Sequence, residues 1–202
     1  MRSLAGLLVI VLAVVGMALA FRSWKSSERT TSSPLPRFGA VPEFSFVDQE
    51  GRPFGLKDLQ GKVWVANFIA TRSSGPDPIL SSRFAELDSD FKKDERLRLI
   101  SFTVDPQNDT PKALRDYARR FEASVGWSFL TGDKQKIDGL VGTGFQLAEH
   151  DSHSIPHDGI HNTNFILVDA NGTIRGYYDG TSKEAVQRIL TDVGSLLRDS
   201  ER

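Results

Sequence analysis

Residues 63–69, Val-Trp-Val-Ala-Asn-Phe-Ile, constrain the fold more than any other segment of the chain. Six of the seven are apolar and they do not alternate with polar residues, so the segment reads as a strand covered on both faces. Such a strand belongs in the middle of a sheet with other layers packed against it. The next residues, Thr71-Arg72-Ser73-Ser74-Gly75-Pro76-Asp77-Pro78, are turn formers ending in a helix-start signal. Beyond them Leu80, Phe84, Leu87 and Phe91 recur at i, i+4, i+7 and i+11, the stripe of an amphipathic helix lying on that sheet.

The flanking sequence extends the pattern. Phe44 and Phe46, then Phe54 and Leu56, alternate around Asp48-Gln49-Glu50-Gly51 as a hairpin. Leu97–Val104 reads as a strand, and Asp109-Thr110-Pro111 opens a helix whose stripe is Leu114, Tyr117, Ala118 and Phe121. A short strand at Trp127–Leu130 and a short helix at Asp133–Val141 follow. Asn164–Asp169 and Thr173–Tyr178 form a hairpin across Asp169-Ala170-Asn171-Gly172, and Val186, Ile189, Leu190, Val193 and Leu197 line a last helix. Strands alternating with helices predict an α/β sandwich with a central sheet flanked by helices.

With 202 residues, 39% of them hydrophobic, the chain suits one globular domain plus an extension. A net charge of −1 with scattered Lys and Arg gives no face for nucleic acid. The extension is N-terminal: Arg2 precedes an apolar run from Leu4 to Phe21, followed by Arg22 and Lys25. We read residues 1–22 as a signal or transmembrane anchor that puts the domain on the extracytoplasmic side. The alternative is secretion after cleavage near Ala20, in Ala18-Leu19-Ala20. Residues 23–40, rich in Ser, Thr, Pro and Arg, read as a linker, and 41–202 as the domain.

The chain contains no cysteine. Disulfides, thiolate metal sites and cysteine nucleophiles are therefore excluded, and any site must use oxygen and nitrogen donors. Three segments stand out chemically. Ser73 and Asp77 occupy the turn. All four histidines, His150, His153, His157 and His161, fall within 12 residues, in a stretch that also holds Glu149, Asp151 and Asp158. Imidazole and carboxylate donors at this density suit Cu(II), Zn(II) or Ni(II), although Pro156 and Asp158-Gly159 make the stretch a loop, not one helical face. A solvated polar loop accounts for the same residues.

The segments FSFVDQEGRPFGLKDLQGKVWVANFIAT, SFTVDPQNDTPKALRDYA, WSFLTGD and HNTNFILVDANGTIRGYYDG, in this order, resemble the SCO/SenC family of thioredoxin-like proteins from Val41 to Leu197. The resemblance implies a thioredoxin-like fold, copper binding through two cysteines of a TxCxxxCP motif and a late-loop histidine, and a role in cytochrome c oxidase assembly. It also implies a respiratory oxidase or another membrane protein as partner. His161 matches the family histidine, whereas Ser73 and Asp77 stand at both cysteine positions.

Those replacements set the chemical expectations. Thiol–disulfide and cysteine-based peroxidase activity are lost, so we expect no enzyme of either kind. Cu(I) prefers soft sulfur ligands, and a site of His161, Asp77 and Ser73, assisted by His157, His153 or His150, should favour Cu(II) over Cu(I). Plainer roles compete with ligation: Asp77 as the helix N-cap with Pro78 at the first helical position, and Ser73 as a turn former. A hydrolytic arrangement of Ser73, His161 and Asp77 needs a geometry that spacing alone does not supply. Arg72 is a lone candidate for binding a carboxylate or phosphate, and Trp64 and Trp127 read as packing residues. A cysteine-less, non-catalytic protein-binding module is the alternative to metal handling.

Overall fold

The computed structural model describes residues 35–145 and 162–199. The expected anchor, residues 1–22, and all four histidines lie outside the described residues. Among the described residues no helix is long and apolar enough to cross a membrane.

Eight strands form one mixed sheet: β1 (Gly39–Ala40), β2 (Ser45–Asp48), β3 (Pro53–Gly55), β4 (Val63–Ile69), β5 (Leu97–Thr103), β6 (Trp127–Thr131), β7 (Asn164–Val168) and β8 (Thr173–Asp179). Their spatial order is β1-β8-β7-β4-β5-β6-β2-β3. The helices are α1 (Asp77–Phe91), α2 (Pro111–Arg120), α3 (Lys134–Gly139) and α4 (Lys183–Asp199). A single 3-10 turn, Leu56–Leu59, follows β3, and α3 runs on into a π-helical turn, Leu140–Gly144.

β4 takes the central place expected of it, parallel to β5 and antiparallel to β7, with all seven residues buried. Its period of two divides the interior. Val63, Val65 and Ile69 face a core shared with Leu80, Phe84 and Leu87 of α1, Leu114 and Tyr117 of α2, and Val186, Ile189 and Val193 of α4. Trp64, Ala66 and Phe68 face a second core with Phe44, Phe46, Phe102, Leu140 and Phe145. This second layer is a network of edge-on aromatic contacts, such as Phe68 to Phe145 at 5.5 Å between ring centroids. Trp64 and Trp127 are both in these cores, as expected of packing residues.

The predicted hairpins form at their predicted turns, where Gly51 and Gly172 take φ of +77° and +76°, the left-handed region that favours glycine. Two differences from the sequence reading stand out. The short helix does not stop near Val141 but widens into the π turn, closed by Tyr177 Oη donating to the Phe145 carbonyl at 3.0 Å. The domain also begins earlier than Val41. Gly39 and Ala40 pair with Ile174 and Thr173 of β8, so the last residues assigned to the linker are an edge strand. Arg175 reinforces that edge: its Nε and Nη2 each donate at 2.7 Å to the carbonyls of Pro36 and Leu35, while Nη1 donates to Asp169 at 2.9 Å. Backbone hydrogen bonding in so Pro- and Ser-rich a segment left no periodic signal to read.

Candidate functional site

The candidate site lies where β4 ends and α1 begins. Ala70 follows the last strand residue, and its N–H is no longer taken by the sheet. It donates instead to Asp77 Oδ2 at 3.0 Å. Asp77 is buried, 4% exposed, and is the first residue of α1, with Pro76 as N-cap and Pro78 one position further in. Its side chain makes no cap hydrogen bond. The expectation of Asp77 as N-cap is thus corrected: the carboxylate reaches back across the turn to the strand end, while the Ile79 and Leu80 N–H groups that such a cap would use donate to the Pro76 carbonyl at 2.9 and 3.0 Å. Its Oδ1 accepts no hydrogen bond from any described residue, and its charge sits at the positive end of the helix dipole.

Ser73 sits inside the turn. Its backbone N–H donates to the Ala70 carbonyl at 3.0 Å, and its Oγ accepts from the Gly75 N–H at 3.1 Å. This is the turn-forming role read from the sequence. No hydrogen bond joins Ser73 to Asp77.

A second carboxylate, overlooked in the sequence as part of a turn and cap, grips the next residue of the turn. Asp109 is fully buried, and its carboxylate accepts from Thr71 N at 3.1 Å, Thr71 Oγ1 at 2.5 Å and Thr103 Oγ1 at 2.5 Å. Asp77 and Asp109 therefore hold the consecutive amides of Ala70 and Thr71. The helix cap next to Asp109 belongs to Thr110, whose side chain accepts from Ala113 N at 3.3 Å, with Pro111 first in α2. That division of labour had one sequence signal: Thr71, two residues past β4, and Thr103, the last residue of β5, are hydroxyl residues at the same end of two parallel strands. Arg72, the lone arginine of the turn, donates to Asn108 Oδ1 at 2.7 Å, and Asn108 in turn donates to both oxygens of Asp105.

Buried polar groups continue beneath the turn. Trp127 Nε1 donates to Ser101 Oγ at 2.8 Å, and Ser101 Oγ donates to Asn67 Oδ1 at 2.6 Å. Tyr117 Oη and Ser81 Oγ share a hydrogen bond of 2.8 Å. Burial pushes the Tyr117 phenol above its ordinary range, and the negative charges of Asp77 and Asp109 push it the same way.

Trp64, Val65 and Ala66 of β4 lie opposite Val168, Leu167 and Ile166 of β7. Because the pairing is antiparallel, the start of β7 lies at the same end of the sheet as the end of β4. Asn162 is buried and accepts from Asn164 N at 2.8 Å, which fixes the chain as it enters β7. Residue 161 precedes it in the sequence. His161, His157, His153 and His150 themselves lie outside the described residues. Among the described residues no three His, Cys, Asp or Glu side chains converge to hold a metal. The turn therefore offers the Asp77 carboxylate oxygen that accepts no hydrogen bond from a described residue and the hydroxyl of Ser73, with no sulfur.

The SCO1/SenC family model matches residues 34–198. The SCO1 protein homolog of Bacillus subtilis is 32% identical over 158 residues, spanning 77% of this chain and 81% of that protein. A protein of Stutzerimonas stutzeri, provisionally named a copper-binding protein, is 29% identical over 197 residues and 93% of each chain. Among solved structures, that of BsSco superposes with a TM-score of 0.68 at 30% identity, covering 80% of this chain and 96% of that one. BsSco is described as a member of the Sco family of cytochrome c oxidase assembly proteins, with a disulfide switch.

Proposed function

The chain belongs to the SCO1/SenC family, and on that premise we propose that it handles copper, in the Cu(II) state, for assembly of a respiratory oxidase, without thiol redox activity and not as an enzyme. Copper here is cargo. The names of relatives support the metal and the assembly role, being those of a copper-binding protein and of an oxidase assembly protein. The observation that supports the reading is the antiparallel pairing of β4 with β7, which puts the start of β7, just after His161 in the sequence, at the same end of the sheet as the turn that Asp77 holds.

The donor set decides which copper. With no cysteine in the chain, nothing corresponds to the disulfide switch described for BsSco, and soft-ligand retention of Cu(I) has no basis. Asp77 Oδ1 is a hard donor, and an imidazole is a borderline one that suits Cu(II). His161 with Asp77, and one or more of His157, His153 and His150, would hold the ion. Ser73 is the weakest member, since its hydroxyl already accepts from Gly75 and is a poor ligand while protonated. The apolar run Leu4–Phe21 supports a retained anchor with the domain on the extracytoplasmic side.

The test is a melting-temperature titration of the full chain with Cu(II), Cu(I) and Zn(II), since a ligand of the native state must raise the transition. We expect a Cu(II)-dependent rise that is lost in His161→Ala and reduced in Asp77→Asn; the same rise with Cu(I), or none with Cu(II), contradicts the reading. A second reading rests on a specific observation: Asp77 and Ser73 are both spent on holding the turn, so the turn needs no metal to keep its shape. It describes a metal-free, protein-binding module, and predicts that the chain captures its partner equally well after chelation.

A further inference from the structure

A groove of about 870 Å³ on the face of the sheet opposite α1 has two walls of unequal strength. One is the β2–β3 hairpin with the 3-10 turn, which contributes Phe54 and Leu56; the other is the α3–π segment, which contributes Gly139, Leu140 and Thr143. We propose that residues 139–144 are a hinge about which the α3–π wall opens while the hairpin wall stays fixed. Neither Asp77 nor Ser73 lines the groove, so the hinge does not depend on the metal reading.

The hairpin wall is held from every side. β2 is paired on both of its edges, with β3 and with β6. Its turn is closed by Asp48, which accepts from Glu50 N at 2.8 Å, Arg52 N at 2.8 Å and Arg52 Nε at 2.9 Å. Past β3, the Gly55 N–H donates to Asp58 Oδ2 at 2.7 Å. Packing requires the glycine at this point, because a Cβ at Gly55 would stand 2.5 Å from the Phe44 carbonyl oxygen.

The opposite wall contains two glycines that nothing in the packing requires. Gly139 has φ −62° and ψ −43°, ordinary right-handed helix, and Gly142 has no positive φ either. A Cβ at either position would meet no atom within 4 Å. Alanine fits both, so glycine there gives up helix stability with no gain in space or torsion. Gly144 is the contrast, since a Cβ there would stand 2.8 Å from Leu140 Cδ1 and 3.0 Å from Pro42 Cγ. Thr143 loosens the same turn, its Oγ1 donating back to the Gly139 carbonyl at 2.8 Å, a bond that bends helices. The segment closes through the wide π bond from Phe145 N to the Leu140 carbonyl at 2.8 Å and through Tyr177 Oη on the Phe145 carbonyl. Opening breaks these two bonds and carries Leu140 away from the hairpin, a local event that leaves the strand pairing of β2 and β4 untouched.

The test is native-state amide hydrogen exchange of the full chain, resolved by residue and repeated at low concentrations of denaturant. We expect the Phe145 amide to exchange faster than those of Phe46 in β2 and Val65 in β4, and with little dependence on denaturant, as a local opening does. Gly139→Ala/Gly142→Ala should slow Phe145 exchange by about tenfold or more, at about fivefold for each glycine. Gly144→Ala, where packing does require glycine, should speed it. A Phe145 amide that exchanges at the rate and with the denaturant dependence of Val65 opens only when the molecule unfolds, and overturns the proposal. So does a Phe46 amide that opens as readily as Phe145, or a double alanine variant that melts no lower than the wild type and yet shows no slowing.

Discussion

At the residue scale, two buried carboxylates, Asp77 and Asp109, hold the turn at the end of β4. Asp109 satisfies three donors at once, so Asp109→Ala leaves Thr71 and Thr103 with buried, unpaired groups. We expect a loss of about 3 kcal/mol, measured as a shift of the denaturant midpoint at unchanged slope. Asp77→Asn keeps an acceptor for Ala70 and should cost about 1 kcal/mol or less, separating its structural role from its charge. The converse substitution probes what the turn still permits. Ser73→Cys/Asp77→Cys gives up the acceptor for Ala70 but keeps β4, Pro78, α1 and the Asp109 contacts, so Cu(I) retention against a competing chelator should rise by more than about tenfold. No gain in Cu(I) retention would mean that the frame itself, and not only the sulfur, has been lost.

The elements of this fold were legible in the sequence to unequal degrees, for physical reasons. β4 was read correctly because seven successive buried residues leave a pattern that only a central strand needs. α1 was placed by its stripe, yet the duty of its first residue was missed. Capping is a local rule, whereas the bond from Ala70 to Asp77 depends on how strand and helix meet. Asp109 was hidden in the same way, since its partners Thr71 and Thr103 are brought together only by the parallel pairing of β4 with β5. The edge strand β1 left no signal because its hold is backbone pairing and the reach of Arg175. Breaking that hold is a direct check. The Arg175–Asp169 pair is nearly buried, with side chains 11% and 8% exposed. Arg175→Ala should therefore cost about 3 kcal/mol, and a chain cut to residues 41–202 should melt below one that starts ahead of Leu35. Equal melting of the two lengths would show that β1 adds nothing.

At the scale of the whole molecule, the structure carries an alkaline pH dependence with a definite sign. Burial pushes the Tyr178 phenol far above its ordinary range, and its 2.7 Å hydrogen bond to Asp192, with the charge of that carboxylate, adds to the shift. Burial raises Tyr117 as well. A folded-state pKa above the unfolded value means that these groups contribute their full stability below about pH 10 and lose it as pH rises beyond. Unfolding free energy should fall on the alkaline side, and Tyr178→Phe should flatten that fall. A slope identical in wild type and variant would assign it elsewhere.

The fold, the match over residues 34–198 and the cysteine-free turn together describe an SCO1/SenC frame whose turn offers an acid and a hydroxyl and no sulfur. The measurement that bears most directly on this account is electron paramagnetic resonance of the full chain titrated with Cu(II). The account predicts one equivalent of bound Cu(II) with imidazole nitrogen and oxygen coordination, its nitrogen splitting altered or abolished in His161→Ala. Substoichiometric uptake, or a spectrum that His161→Ala leaves unchanged, would contradict it.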